Sequence, residues 1–355
     1  MSLAESLLRP AAGIFVFCVG AYYVSQLAEE NGLKQVAKRL LPTDDPFIKI
    51  DSLANGTFNH IAVVQTSKTC YLLRCPKLRN SHPSYFERIR LVTNLASKEG
   101  FGPRLHNASP ADQALLLEYI PSISWPPYAE NPKPYIETMK TLRSFHETMK
   151  KYLEPEERKD YLPFSFILDN AQQQKHTHAL PRQFATATRR IQWIFKQIEP
   201  WLIKHGTICH GDLHKGNVLP SKDQNSFEIK FIDFDTAMVG HPYFDVAKFT
   251  STFEKDIQQT LFCTYLGREP TTEEQQHYRW MLLIVLMTMA TSWFTKALEA
   301  KCDPSEKMTK EQMEVLLDAG GPIPQAASPH VKPYDRQLLA LGSLKNFLEN
   351  TTEPL

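Results

Sequence analysis

The chain has 355 residues, enough for one large domain or two lobes, with an ordinary globular composition of 42% hydrophobic and 22% charged residues. A net charge of +1 argues against a global electrostatic match to nucleic acid or to a strongly acidic partner. Six scattered cysteines without a Cys-x-x-Cys pair argue against a disulfide scaffold or a structural zinc site, and favour reduced thiols in a cytosol-facing compartment.

Residues 10–28 carry no charge (PAAGIFVFCVGAYYVSQLA) and approach the ~20 apolar residues of a membrane span. Two readings stand side by side: a membrane anchor or interfacial helix, or a helix packed on the body and capped by Ser2-x-x-Glu5. If the segment spans, Lys34, Lys38 and Arg39 outnumber Arg9, which keeps the C-terminal bulk in the cytoplasm. Residues 29–45 are charged and end in Pro42-Thr43-Asp44-Asp45-Pro46, so 1–45 reads as a hydrophobic helix and a linker.

Three short runs at 47–53, 60–66 and 69–75 have strand character, joined at Asn55-Gly56 and Ser67-Lys68 as consecutive hairpins. Ser84-Tyr85-Phe86-Glu87 is a capping-box pattern opening a helix to Lys98, which Gly100-Phe101-Gly102-Pro103 stops. An apolar run at 114–120 adds a strand that Pro121 ends. Residues 46–120 are therefore expected to form an antiparallel sheet with one helix.

Pro126, Pro127, Pro132 and Pro134 mark a boundary, after which helical periodicity dominates at 135–152, 182–204, 245–266, 271–300 and 334–349. Residues 154–180 and 320–333 read as irregular connections. The expected architecture is α+β: a small β-rich lobe at 46–120 and a larger helical lobe at 121–355, with a cleft between them as the ligand site.

The chemistry concentrates in Ile208-Cys209-His210-Gly211-Asp212-Leu213-His214-Lys215-Gly216-Asn217-Val218-Leu219 and in Phe231-Ile232-Asp233-Phe234-Asp235. Phosphoryl transfer asks for positioned metal, neutralised phosphate charge and an oriented nucleophile. An aspartate at the start of a loop can accept a hydroxyl proton. An asparagine five residues on can return an amide oxygen to Mg²⁺, and an aspartate after a strand supplies a charged oxygen ligand. Gly211 and Gly216 let the loop turn. Zinc at Cys209, His210 and His214 would need a fourth ligand with no obvious source. Singly, an Asp or Asn at a turn is usually structural; the ordered set is what carries the reading.

HGDLHKGN resembles the catalytic loop of the aminoglycoside phosphotransferase and choline kinase superfamily, relatives of the protein kinases, and IDFD resembles that family's metal-binding strand end. The resemblance implies a two-lobed protein-kinase-like fold that binds ATP and Mg²⁺. Asp212 would be the catalytic base and Asn217 and Asp233 the metal ligands, with Asp235 a further acid near the substrate. Pro242-Tyr243-Phe244-Asp245-Val246-Ala247 is similar to the family's helix opening, with Asp245 bracing the loop and His241 in place of the usual acid. Asn55-Gly56-Thr57-Phe58-Asn59 resembles the phosphate-covering hairpin. Arg74 stands where the third strand offers a phosphate-binding cation, with Glu87 as its helix partner or as a cap. Leu116-Leu117-Glu118-Tyr119-Ile120 resembles the hinge strand, whose Glu118 and Ile120 backbone would meet adenine.

The implied activity is transfer of the γ-phosphate to the hydroxyl of a small molecule, choline, ethanolamine, thiamine or a similar amino alcohol, with no nucleic-acid partner. Trp293, with Trp280 and Tyr265, reads either as a face for a quaternary ammonium or as helix core. The rival reading is a pseudokinase, a membrane-associated binding or scaffold protein that keeps the fold without catalysis. A Ser/Thr protein kinase fits less well, for want of a D-F-G turn and an A-P-E segment. Location is expected in the cytoplasm, with residues 10–28 as the route to a membrane surface.

Overall fold

The computed structural model of the chain describes residues 26–53, 59–77, 83–153, 179–223, 226–300, 303–319 and 332–351. Packing divides the chain into two units, Met1–Leu153 with His210–Ala237, and Glu154–Cys209 with Met238–Leu355.

In the first unit, helix α1 (Gln26–Leu40) precedes strands β1 (Phe47–Ser52), β2 (Asn59–Thr66) and β3 (Cys70–Pro76). Helix α2 (Pro83–Lys98) follows, then β4 (Leu105–Ser109), β5 (Ala114–Glu118) and helix α3 (Lys133–Met149). The five strands form one antiparallel sheet in the order β1-β2-β3-β5-β4. Alternation along the strands sends two sets of apolar side chains to opposite faces. Ala62, Val64, Leu73, Ala114 and Leu116 are buried, and of these Val64, Leu73, Ala114 and Leu116 meet Leu33, Val36, Ala37 and Leu40 of α1. Leu115, Leu117 and Leu72 meet Phe86 and Ile89 of α2. Arg74 shares the face of Leu72, and so lies under α2.

The expected α+β fold, a small antiparallel sheet and a larger helical part, is observed. Residues 29–45, however, are mostly helix rather than linker. Leu33, Val36, Ala37 and Leu40 repeat at helical spacing and bury one stripe, while Lys34 and Lys38 lie over the Phe47 ring and Arg39 pairs with Asp112 at 2.9 Å. Counting charges alone hides such a stripe. Asp45 is buried and accepts from the Thr66 and Tyr71 hydroxyls, both at 2.9 Å. Helix α2 begins at Pro83, so Ser84 stands within the helix rather than at its cap. Strand β4 was not expected; as an edge strand it shows little alternation. Residues 10–25 lie outside the described residues.

In the second unit, helix α4 (Arg182–His205) leads to β6 (Thr207–Cys209). In the first, the hairpin β7 (Val218–Asp223) and β8 (Ser226–Phe231) follows the catalytic-type loop. Strand β9 (Met238–Gly240) then pairs with β6. The remaining helices are α5 (Pro242–Thr250), α6 (Lys255–Leu266), α7 (Thr272–Leu298), α8 (Lys310–Asp318) and α9 (Pro333–Asn350). Helix α7 is the centre of this unit, packed by α9, α5 and α4. It is the one helix among the described residues long and apolar enough to cross a membrane, and half of that window is buried in the protein.

The single helix expected at 245–266 is two, α5 and α6. Thr250 turns its hydroxyl back to Val246 O at 2.7 Å and shares a 2.6 Å hydrogen bond with Tyr278, at the point where α5 ends. His241 caps α5 through its imidazole, with Nδ1 accepting from Tyr243 N at 3.1 Å. Thr271 and Glu274 form a reciprocal capping box at the start of α7. Thr271→Ala is expected to cost about 1 kcal/mol in urea unfolding; an unchanged midpoint would show the cap to be idle.

Candidate active site

The loop after β6 is shaped by hydrogen bonds within the first unit. His210 uses both ring nitrogens on main chain: Nε2 lies 2.7 Å from Ile232 O, and Nδ1 accepts from Asp212 N at 3.4 Å. Thr236 Oγ1 donates to His210 O at 3.2 Å. The two chemistry-bearing segments are thus bound to each other at their starts.

Gly211 has φ +84° and lies against Thr236. Only a residue without Cβ fits there. His214 begins a short 3₁₀ turn by accepting from Gly216 N at 3.0 Å, and the turn delivers Asn217.

Asn217 is the junction. Its Nδ2 donates to Asp212 O at 2.9 Å, and its own carbonyl accepts from Ile232 N at 3.0 Å. Because only the amide nitrogen can donate to a carbonyl, Oδ1 is the end left for a cation. Asp212 lies five residues before Asn217, and Asp233 follows Ile232, so the three expected oxygen-bearing residues are brought together. The strand pair behind them is stitched to the rest of the unit by Phe231 N to Phe101 O, at 2.7 Å, and Lys230 Nζ to Gly100 O, at 2.7 Å.

Asp233 takes a left-handed backbone conformation, φ 65° and ψ 62°, rare outside glycine and commonest at functional sites. It keeps an exposed face, while crowding by protein and then the neighbouring Asp235 carboxylate push its carboxyl above the ordinary range. Burial also acts upward on Asp235, but the Arg74 guanidinium more than reverses it, and Asp235 is held below the usual carboxylate range.

The exposed oxygens of Asp233 and the amide oxygen of Asn217 form a hard, all-oxygen donor pair beside the Arg74–Asp235 ion pair. That chemistry fits a magnesium ion.

The upper residues distribute differently from expectation. Arg74 is buried and forms a short ion pair with Asp235, not with Glu87. Glu87 pairs with Arg90 at 2.7 Å, one turn along its own helix. Arg88, the next residue, turns inward and donates to Asp235 O at 3.0 Å. The expected Arg74–Glu87 pair is therefore replaced, because α2 presents residue 88 rather than 87 to the sheet.

Asn55, Gly56 and Thr57 lie outside the described residues. Asn59, at the start of β2, donates to Asp235 Oδ2 at 2.9 Å. Glu118 closes β5, its carboxylate accepting from Arg104 N at 3.0 Å, and Ile120 is half-buried beyond it.

Trp293 lies on α7 in the second unit, with the Lys296 ammonium 4.8 Å from its ring centre. Trp280 packs on His277 and Trp193, and Tyr265 is buried. Asp245 is fully buried in α5. Sequence reasoning missed one aromatic group beside the loop. Trp125 Nε1 donates to Lys215 O at 3.0 Å, and the Lys215 ammonium lies 5.3 Å from the Tyr135 ring centre. The proline-rich boundary around these aromatics was the signal present in the sequence.

Comparison with known families finds a match over residues 50–279 to the phosphotransferase enzyme family, APH. The chain belongs to that phosphotransferase family. A choline/ethanolamine kinase family protein from Mesorhizobium loti is similar in structure, with TM-score 0.60 and 15% identity over 87% of this chain and 98% of the other. A choline kinase from Streptococcus pneumoniae has TM-score 0.60 and 14% identity, covering 78% and 94% of the two chains. A choline kinase from Cryptosporidium parvum has TM-score 0.59 and 14% identity, covering 90% and 94%. At such identities the likeness is one of fold. A search of curated proteins finds no match. As a member of this family, the protein is a phosphotransferase.

Proposed function

We propose that this phosphotransferase moves the γ-phosphate of ATP to the hydroxyl of a small amino alcohol of the choline, ethanolamine or thiamine kind. The reading rests on one observation, the double attachment of Asn217 to Asp212 and to Ile232 beside Asp233. In this reading Asp212, half-exposed at the loop, accepts the hydroxyl proton and orients the oxygen for in-line attack. Asn217 and Asp233 would hold a magnesium ion, which would neutralise phosphate charge when bound. Arg74 supplies a buried guanidinium toward the phosphates, and the main chain at Glu118 and Ile120 meets the base.

Two structural neighbours support a nucleotide donor: a LicA structure in complex with AMP, and an APH(2") structure in complex with GDP and kanamycin. No described cysteine (Cys70, Cys75, Cys209, Cys263) forms a disulfide, which supports a cytosol-facing setting where ATP is abundant. Residues 10–28 are the segment through which membrane association would occur.

One observation favours a second reading, a binding or scaffold protein without catalysis: Arg74 lacks the helix glutamate as its partner. Thermal unfolding with Mg·ATP separates the two. Nucleotide at about 100 times its Kd stabilises the folded chain by about 2.7 kcal/mol, a rise of several degrees. No rise at millimolar Mg·ATP would favour the scaffold. A screen of alcohols for ADP release then identifies the acceptor.

A further inference from the structure

Arg74 has lost one carboxylate partner relative to the sequence pattern and gained another. Its side chain and that of Asp235 are 7% and 14% exposed, so the pair is nearly dry. The same Asp235 Oδ2 also accepts from Asn59 Nδ2 at 2.9 Å. The main chain of Asp235 accepts from Arg88, itself buried, whose guanidinium lies 5.2 Å from the Tyr85 ring centre. Strands β2 and β3 and helix α2 therefore meet on one residue, two positions after Asp233.

The Glu87–Arg90 pair is 31% and 42% exposed at its side chains and spans three residues of one helix. Exposed pairs of that kind hold little, whereas a buried partner's loss strands a charge. Among the described residues, Glu87 pairs with Arg90 of its own helix and not with a strand residue.

We infer that Asp235 is the positioning residue of the nucleotide site: its carboxylate, and not that of Glu87, aims Arg74, and Arg88 fastens this pivot to α2. Among the described residues, buried Arg74 Nε and Arg88 Nε have no hydrogen-bond partner. Asp235 acts through Arg74 and through the strained residue Asp233, so its loss is felt as nucleotide affinity. The inference rests on the kinase reading for its kinetic form, but the attachment of Arg74 can be measured without turnover.

The test compares Asp235→Asn with Glu87→Gln in the full chain, across a titration of Mg²⁺. Asp235→Asn is expected to raise the KM for ATP by about 30-fold, with the acceptor KM within about twofold, and to exceed the effect of Glu87→Gln by at least about tenfold. Equal effects of the two variants would overturn the inference. So would recovery of Asp235→Asn by excess Mg²⁺, which would make Asp235 a metal ligand instead. If Asp235→Asn does not fold, Asp235→Glu against Glu87→Asp makes the same comparison by one methylene, with about a tenfold rise in the KM for ATP expected for the first alone.

Urea unfolding of Arg74→Met, Asp235→Glu and their double variant is the readout independent of activity. Non-additivity there, with additivity between positions 74 and 87, supports the inference, and additivity at 74 and 235 overturns it. If the wild-type chain releases no ADP with any alcohol, the kinase reading falls and this cycle alone decides the role of Asp235.

Discussion

Asp212→Asn is expected to lower ATP-dependent phosphotransfer by about 10³-fold, the range that a positioned general base contributes. The fold should survive intact. Asn217 Nδ2 is bonded to the main-chain oxygen of Asp212, which the substitution leaves in place. The side chain lies 3.8 Å from the His214 imidazole, with both groups about half-exposed, and exposed pairs of that kind hold little. The measurement pairs ADP release by the purified variant with its thermal midpoint, which should stay within about 2 °C of wild type. Near-normal turnover would remove Asp212 from the chemistry, and a collapsed midpoint would make it structural.

Gly211→Ala is expected to damage stability and activity together. At φ +84° an added Cβ would stand 2.1 Å from Thr236 O, and that obstacle is main chain rather than a flexible tip. The left-handed conformation alone costs about 1–2 kcal/mol for an L-residue, and displacing the segment bearing Asp233 and Asp235 raises the total to about 3 kcal/mol or more. Turnover falls with it, because Asp212 and Asp233 sit on the two segments that would be pushed apart. Gly216→Ala is the useful contrast. There the Cβ would meet the His214 ring at 2.8 Å, an exposed side chain that can swing aside, so the loss should be a fraction of the first. Equal urea midpoints for Gly211→Ala and wild type would contradict the close approach of the two segments.

The contrast between these glycines shows where local reading reaches. Both read alike in sequence, as turn formers flanking a catalytic-type loop. Only the packed structure shows that one faces backbone and the other an exposed ring.

Strand-forming runs β1, β2, β3 and β5 were apparent from their apolar character and the turns between them, since alternation and turn chemistry act over a few residues. The edge strand β4 and the short helix α8 lacked that signal or hid it. In α8 the signal was a Thr309–Gln312 capping box, which the structure forms. Helix α1 carried a periodic apolar stripe beneath a charged surface. Asp45 sits in a proline-flanked turn that reads as linker, yet two hydroxyls and the Lys68 amide converge on its carboxylate.

The oxygen-bearing residues of the candidate site, Asp212, Asn217 and Asp233, could be named from order and spacing, because each occupies a short turn whose chemistry is local. The partner of Arg74 could not. Glu87 and Asp235 are both acids with a claim on it, and the pair that forms joins residues 161 positions apart. The choice follows from which face of α2 meets the sheet and where the β8–β9 connection passes. Those are consequences of burying apolar stripes on two sides of β3, and no rule acting over a few neighbouring residues contains them.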